Sequence, residues 1–237
     1  MRKMIVTVTV LVFVYLLCLT VSHRFRAAMT MMCARGKDIY AWMVTLRVEL
    51  EPLGVKNCLG PKTYVDVVTC PTNDLTEITG KAYATSTGYF NDLMRLFPIR
   101  RQTILNARSD ECPQFAGVGV PCSETGVLTS TNNAWAVLAN VKDEDKGTLP
   151  ILITRNVDIE ALNRALKTGI TSNDFSTPVQ LGTVYKTPFG KRAGVLVRKN
   201  GQVDQLQKAH ITLGMVFGDT EIPPRPDSEP PLMYLQP

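Results

Sequence analysis

The chain is poor in the residues that most often do chemistry. Only two histidines occur in 237 residues, His23 and His210. That scarcity leaves little for a zinc site or a histidine base. No G-x-S-x-G elbow, no H-E-x-x-H pair and no phosphate-cradling glycine loop is present. A Cys–His nucleophile pair would have to use His210, which sits in QKAHITL after a hairpin signal, where a surface or strand-end histidine is expected. With no catalytic constellation, a non-enzymatic protein is the expectation. Strong charge is lacking too. The formal net charge is +5, and basic residues cluster only as the pairs Arg100-Arg101, Lys191-Arg192 and Arg198-Lys199. Without a basic stripe interleaved with aromatics, nucleic acid is not an expected partner. No period of roughly 20–50 residues marks a repeat array. At 45% hydrophobic and 20% charged, the composition excludes a disordered or collagenous chain.

What is present begins with a long apolar run. Ile5 to Ser22, IVTVTVLVFVYLLCLTVS, holds no charged side chain. At about 1.5 Å per residue this is near the minimum for crossing a hydrocarbon core about 30 Å thick as a helix. Arg2 and Lys3 precede it, and His23, Arg24 and Arg26 follow it, which marks the limits of insertion. Residues 1–22 are therefore expected to be a transmembrane segment that meets lipid through 5–22. A cleaved secretory signal competes with that reading, because Thr20-Val21-Ser22 resembles a small-x-small cleavage site. The run is longer than the usual signal core. A lipoprotein signal is disfavoured by bulky Leu17 before Cys18.

The helical pattern continues past the run. Phe25, Met29, Met32, Gly36, Ile39, Met43, Leu46 and Leu50 alternate at spacings of four and three, all apolar or glycine. Arg24, Arg26, Arg35, Lys37, Asp38, Arg47 and Glu49 all fall off this line. This is a heptad-like seam on one helical face. It predicts an amphipathic stalk helix over 23–51, ended by Pro52 with Gly54 behind it. Two partners suit the seam: the protein's own sheet, or neighbouring copies along its membrane-proximal half. The second assigns self-association to Phe25, Met29, Met32, Gly36 and Ile39. Gly36 costs about 1 kcal/mol relative to alanine in a helix interior, and so marks a bend or a close contact.

Residues 52–221 are predicted to form an α+β domain with a small antiparallel sheet and short helical insertions. Tyr64 to Thr69 is β-branched and reads as a strand. Thr87 to Leu96 reads as a short amphipathic helix. Ala134 to Val141 and Leu149 to Thr154 read as buried strands joined by the acidic turn Lys142 to Gly147. Ile159 to Leu166 reads as a helical turn. Gly194 to Lys199 and Gln202 to Leu206 flank Asn200-Gly201, which predicts a hairpin with a type I′ turn and positive φ at both central residues. The stretch 222–237 holds six of the fifteen prolines. It is expected to be a proline-rich tail, extended or frayed outside the core, with docking of Leu232, Met233, Tyr234 and Leu235 as the other reading.

Cys58 and Cys70 bracket one loop, and Cys112 and Cys122 another, without the C-x-x-C spacing of zinc or redox sites. Disulfides Cys58–Cys70 and Cys112–Cys122 are expected, each contributing about 3 kcal/mol, which places the domain in an oxidising compartment. Four unpaired buried thiols are the other reading. Cys33 reads as a small apolar residue on the stalk. In the acidic turn, Asp143 and Asp145 are candidate calcium ligands, although no full loop spacing surrounds them and a solvated charged turn accounts for them as well.

Several stretches resemble the type IV pilin and type II secretion pseudopilin superfamily, in particular divergent pilin-like proteins of type II secretion. They are ARGKDIYAWM (Ala34 to Met43), STGYFNDLM (Ser86 to Met94), NNAWAV (Asn132 to Val137), LPILITRNVD (Leu149 to Asp158) and AGVLVRKNGQVDQLQ (Ala193 to Gln207). The resemblance implies a membrane helix continuing as a stalk into a small sheet domain. It also implies a bacterial inner-membrane protein with its domain in the periplasm or outside, and homo- or hetero-oligomers with other pilin-like subunits. One family element is missing. The prepilin peptidase signal needs a glycine, then phenylalanine, then a glutamate at the fifth mature position. Here no glycine precedes Gly36 and no acidic residue precedes Asp38.

Overall fold

The computed structural model describes residues 2–53, 55, 59–65, 80–96, 128–185, 188–207 and 210–237, and within the first helix the side chains from residue 20 onward. That helix, α1, runs unbroken over Arg2–Leu50. At about 1.5 Å per residue it is about 74 Å long. A 3-10 turn over Glu51–Leu53 contains Pro52 and ends it. Then come α2 (Ser86–Leu96), β1 (Trp135–Ala139), β2 (Pro150–Thr154), α3 (Ile159–Thr168) and β3 (Pro178–Val179). They are followed by β4 (Gly194–Arg198), β5 (Val203–Leu206), β6 (Ile211–Thr212), α4 (Leu213–Phe217) and β7 (Met233–Leu235). The protein is thus α+β, with a long N-terminal helix and a five-stranded antiparallel sheet in the order β5-β4-β2-β1-β7. β3 and β6 form a separate antiparallel pair.

β1, β2 and β4 are buried at every position, which is why their sequences read as continuous apolar runs rather than alternating ones. Helix α1 covers one face. Its seam residues Met29, Met32, Ile39, Met43, Leu46 and Leu50 are all essentially inaccessible. At Gly36 the helix comes so close to the sheet that a Cβ would lie 2.8 Å from Val197 Cγ2 and 3.0 Å from Trp135 Cη2. The glycine therefore marks a close contact. α3 and α4 adjoin the sheet elsewhere. Asp158 caps α3 by accepting from the Ala161 amide at 3.0 Å, and Ile159, Leu162 and Leu166 are its buried residues.

Three sequence expectations need correction. The stretch 222–237 does not lie outside the core, because β7 pairs with β1 in the register Val137↔Leu235, Leu138↔Tyr234 and Ala139↔Met233. Ile222, Leu232, Tyr234 and Leu235 are buried. Five prolines in the stretch before β7 suppressed the strand signal, yet all of them precede the paired residues. The hairpin turn is not type I′. Gly201 alone has positive φ (84°), and Arg198 accepts from the Gly201 amide while donating to the Gln202 carbonyl. A three-residue loop needs a left-handed residue only at its last position. Finally, Tyr64 and Val65 belong to no strand and are exposed, and Asp66 to Thr69 lie outside the described residues.

Candidate functional site

A dense polar cluster forms at one end of the sheet, where the β1–β2 turn meets the proline-rich strap before β7. It is built from the turn upward. Lys142 N donates to Asp145 Oδ2 at 2.6 Å, which folds the acidic residues back on themselves. Three backbone carbonyls then converge, those of Lys142, Asp143 and Asp145. Lys199 Nζ, carried in from the β4–β5 hairpin, donates to them at 2.7, 2.6 and 2.6 Å. Burial pushes the Lys199 ammonium below its ordinary value, and the Asp145 and Asp143 charges partly offset this. Asp143 pairs with Arg47 of α1 at 3.0 Å. Asp145 pairs with Arg225 of the strap at 2.6 Å.

The same arrangement bears on the candidate calcium ligands Asp143 and Asp145. Lys199 occupies the turn's converging carbonyls, and Arg47 and Arg225 each pair with one of the two carboxylates. Among the described residues no group of three or more His, Cys, Asp or Glu side chains could hold a metal ion.

The strap is pinned by the same cluster. Arg225 Nη1 donates to the Asn140 carbonyl at 2.6 Å and to the Pro230 carbonyl at 3.2 Å. Lys142 Nζ contacts Glu229 Oε2 at 2.5 Å. That hydrogen bond raises the Lys142 value and holds the Glu229 carboxyl below the usual carboxylate range. Asn140 is the hub. Its backbone is left-handed (φ 62°), and its side chain donates to the Pro231 carbonyl at 2.7 Å and accepts from Thr63 N at 3.0 Å. Asparagine tolerates this conformation better than most residues. Between turn and strap lies a cleft of about 280 Å³, lined by Leu149, Ile222, Pro224 and Leu232 with Lys146 and Glu144 at its rim. Chemically the cluster is a joint. It ties α1, the β1–β2 turn, the hairpin and the strap through matched charges in a partly desolvated place.

Two further buried polar groups lock other elements. Arg198 pairs with Asp204 at 2.5 Å and donates to the carbonyls of Thr148, Met215 and Val216, which caps the end of α4. Asn133 donates to Ser86 Oγ at 2.9 Å, and Ser86 Oγ donates to the Trp135 carbonyl at 2.8 Å, which docks α2 on β1.

The residues singled out for self-association do not form an outward face. Met29, Met32 and Ile39 are buried against the domain, Gly36 abuts Trp135 and Val197, and Phe25 packs edge-on to Phe189 at 5.9 Å. From Met29 to Ile39 the seam is engaged within the chain by the apolar core of the sheet, while Phe25 stays partly exposed. Cys58, Cys70, Cys112 and Cys122, and with them both expected disulfides, lie outside the described residues. Cys33 is a free thiol, half-buried, and accepts from Gln205 Nε2 at 3.4 Å. His210 is exposed. Sequence reasoning missed Asn140, Lys199 and Arg225. One signal was available, since Arg225 is the lone cation within a proline-rich stretch.

Among the described residues no helix is long and apolar enough to cross a membrane. The run 5–22 falls almost wholly on the part of α1 whose side chains are not described. No protein-family model, curated protein or solved structure matches the chain.

Proposed function

We propose that this protein is a non-enzymatic structural subunit of pilin or pseudopilin type, tethered to a bacterial inner membrane with its α+β domain on the far side. One observation carries the reading. A single helix, Arg2–Leu50, has a second half buried on an antiparallel sheet and a first half that begins with an uncharged run from Ile5 to Ser22. On α1, Phe25 packs against Phe189 of the domain. About 35 Å of helix precedes it, at about 1.5 Å per residue, which matches a bilayer core about 30 Å thick. Because the seam from Met29 onward is used by the domain itself, contact with like subunits falls to residues before it. Membrane lipid is the partner of 5–22, and pilin-like subunits are the partners of the same half of the helix.

A test uses the full chain in intact cells. Carbonate-resistant membrane attachment, with the domain cut by protease added outside the inner membrane, is the expected result. Single cysteines at Val8, Leu11 and Tyr15 should crosslink copies. A chain that is released to the soluble fraction sinks the tether. Attachment with persistent monomers replaces assembly by the second reading, a single-pass anchored or secreted extracytoplasmic binding or adhesion module with a pilin-like fold that forms no filament.

A further inference from the structure

The strap between Ile222 and β7 is held in an unusual way. Ile222 exchanges two backbone hydrogen bonds with Ile170, at 2.9 and 2.7 Å. From Pro223 to Leu232, among the described residues, no backbone-to-backbone bond joins the strap to the rest of the domain; the one bond there runs within it, from Glu229 N to the Pro226 carbonyl. Its ties are side-chain contacts: Arg225 to Asp145 and to the Asn140 carbonyl, Lys142 to Glu229, and Asn140 to the Pro231 carbonyl. Two of these are ion pairs, of which Lys142–Glu229 is the more exposed to screening by salt and Arg225–Asp145 the more buried. Proline-rich chain is also stiff and extended. At about 3.1 Å per residue the strap can span roughly 34 Å.

The groove that receives β7 is specific by contrast. Tyr234 is fully buried and donates its hydroxyl to the Pro150 carbonyl at 2.6 Å. The Asn163 side-chain amide closes the outer edge of the strand, accepting from Tyr234 N at 2.7 Å and donating to Tyr234 O at 3.0 Å. The Gln236 carbonyl accepts from Ser86 N at 2.9 Å. None of these contacts depends on which chain supplies the strand. The strand it pairs with, β1, is apolar and wholly buried, so its bare edge is a template that must be filled.

We propose that the β1 edge is an interaction site for the C-terminal segment of a second copy, with β7 exchanged between chains through the strap. The contacts made in cis and in trans are the same, so exchange leaves the bonds of the final state unchanged; it needs release of the strap's side-chain ties, opening of the β1–β7 ladder with its buried Tyr234, and an encounter with another copy. The inference does not rest on the membrane reading, since the groove, the strap and their bonds belong to the domain.

The test uses full-length chains. Ala139 and Met233 are register partners across β1 and β7. Cross-strand partners of this kind lie within disulfide range. An Ala139→Cys chain is mixed with a Met233→Cys chain under mild oxidation, and each variant alone gives the background from native cysteines. Disulfide-linked dimer at least about fivefold above that background is expected. The proposal is overturned if the mixture stays at background while the doubly substituted chain closes its own disulfide. Should the double variant fail to close, amide exchange on the unaltered chain decides. Exchange at 233–235 about 100-fold faster than at Leu152 and Ile153 supports a detachable strand, and equal protection overturns it.

Discussion

Replacing Gly36 with alanine sets two effects of opposite sign against each other. On an open helix face the change stabilises by about 1 kcal/mol, because alanine loses less backbone freedom than glycine. Here the new Cβ would stand 2.8 Å from Val197 Cγ2 and 3.0 Å from Trp135 Cη2, closer than carbon atoms normally approach. Neither neighbour yields easily. Val197 is β-branched and stiff at χ1, and Trp135 is fully buried. Overpacking of this kind costs about 1–3 kcal/mol, and two immobile neighbours put it in the upper part of that range. A net loss of about 1–2 kcal/mol is expected. For a chain of this size that lowers the unfolding midpoint by roughly 3–6 °C. The assay is thermal and denaturant unfolding of the full chain in detergent, followed by tryptophan fluorescence. A cycle with Val197→Ala isolates the cause. Once the valine methyls are gone, the same Gly36→Ala change should cost about 1 kcal/mol less than in the wild type, with the Trp135 contact at 3.0 Å remaining. Stabilisation by Gly36→Ala alone would falsify the close helix–sheet contact.

The polar joint supplies the remaining predictions. Arg225→Ala leaves the mostly buried Asp145 carboxylate without its guanidinium, so a loss of about 2–3 kcal/mol in denaturant unfolding is expected, with Arg225→Lys recovering less than half. Asn140→Gly keeps the left-handed backbone while losing the amide, and should be less damaging than Asn140→Ala by about 1 kcal/mol; equal losses would count against a role for the φ of 62°. Glu229 titrates below its ordinary value because Lys142 hydrogen-bonds its charged form. Its contribution is therefore present above the unfolded carboxyl value and lost as pH falls through the lower folded value. Below about pH 4.5 the wild type should lose stability more steeply than Glu229→Gln, and parallel curves would remove that contact from the account. Calorimetry with calcium should show no heat, since Lys199 and the arginines already fill the turn; saturable binding would refute that assignment.

Much of the fold was legible from periodicity. The four-three spacing from Phe25 to Leu50 located α1 and its buried face, because a helix repeats its face every 3.6 residues whatever it packs on. The apolar runs around Trp135, Ile151 and Val195 located the central strands, because a strand covered on both faces has no polar alternation to lose. Neither pattern names the partner. Whether the seam meets a sheet or a second helix depends on shape, and the space beside Trp135 and Val197 that only glycine fits settled it in favour of the sheet. The joint was less legible still. Lys199, Arg225, Arg47 and Asn140 are far apart in the chain and share no spacing, so only the meeting of turn, hairpin, helix and strap turns an ordinary acidic loop into a cluster of matched charges. β7 shows the same division. Its prolines determined from sequence that the strap makes no ladder, and only the open edge of β1 decided that the three residues after it would complete the sheet.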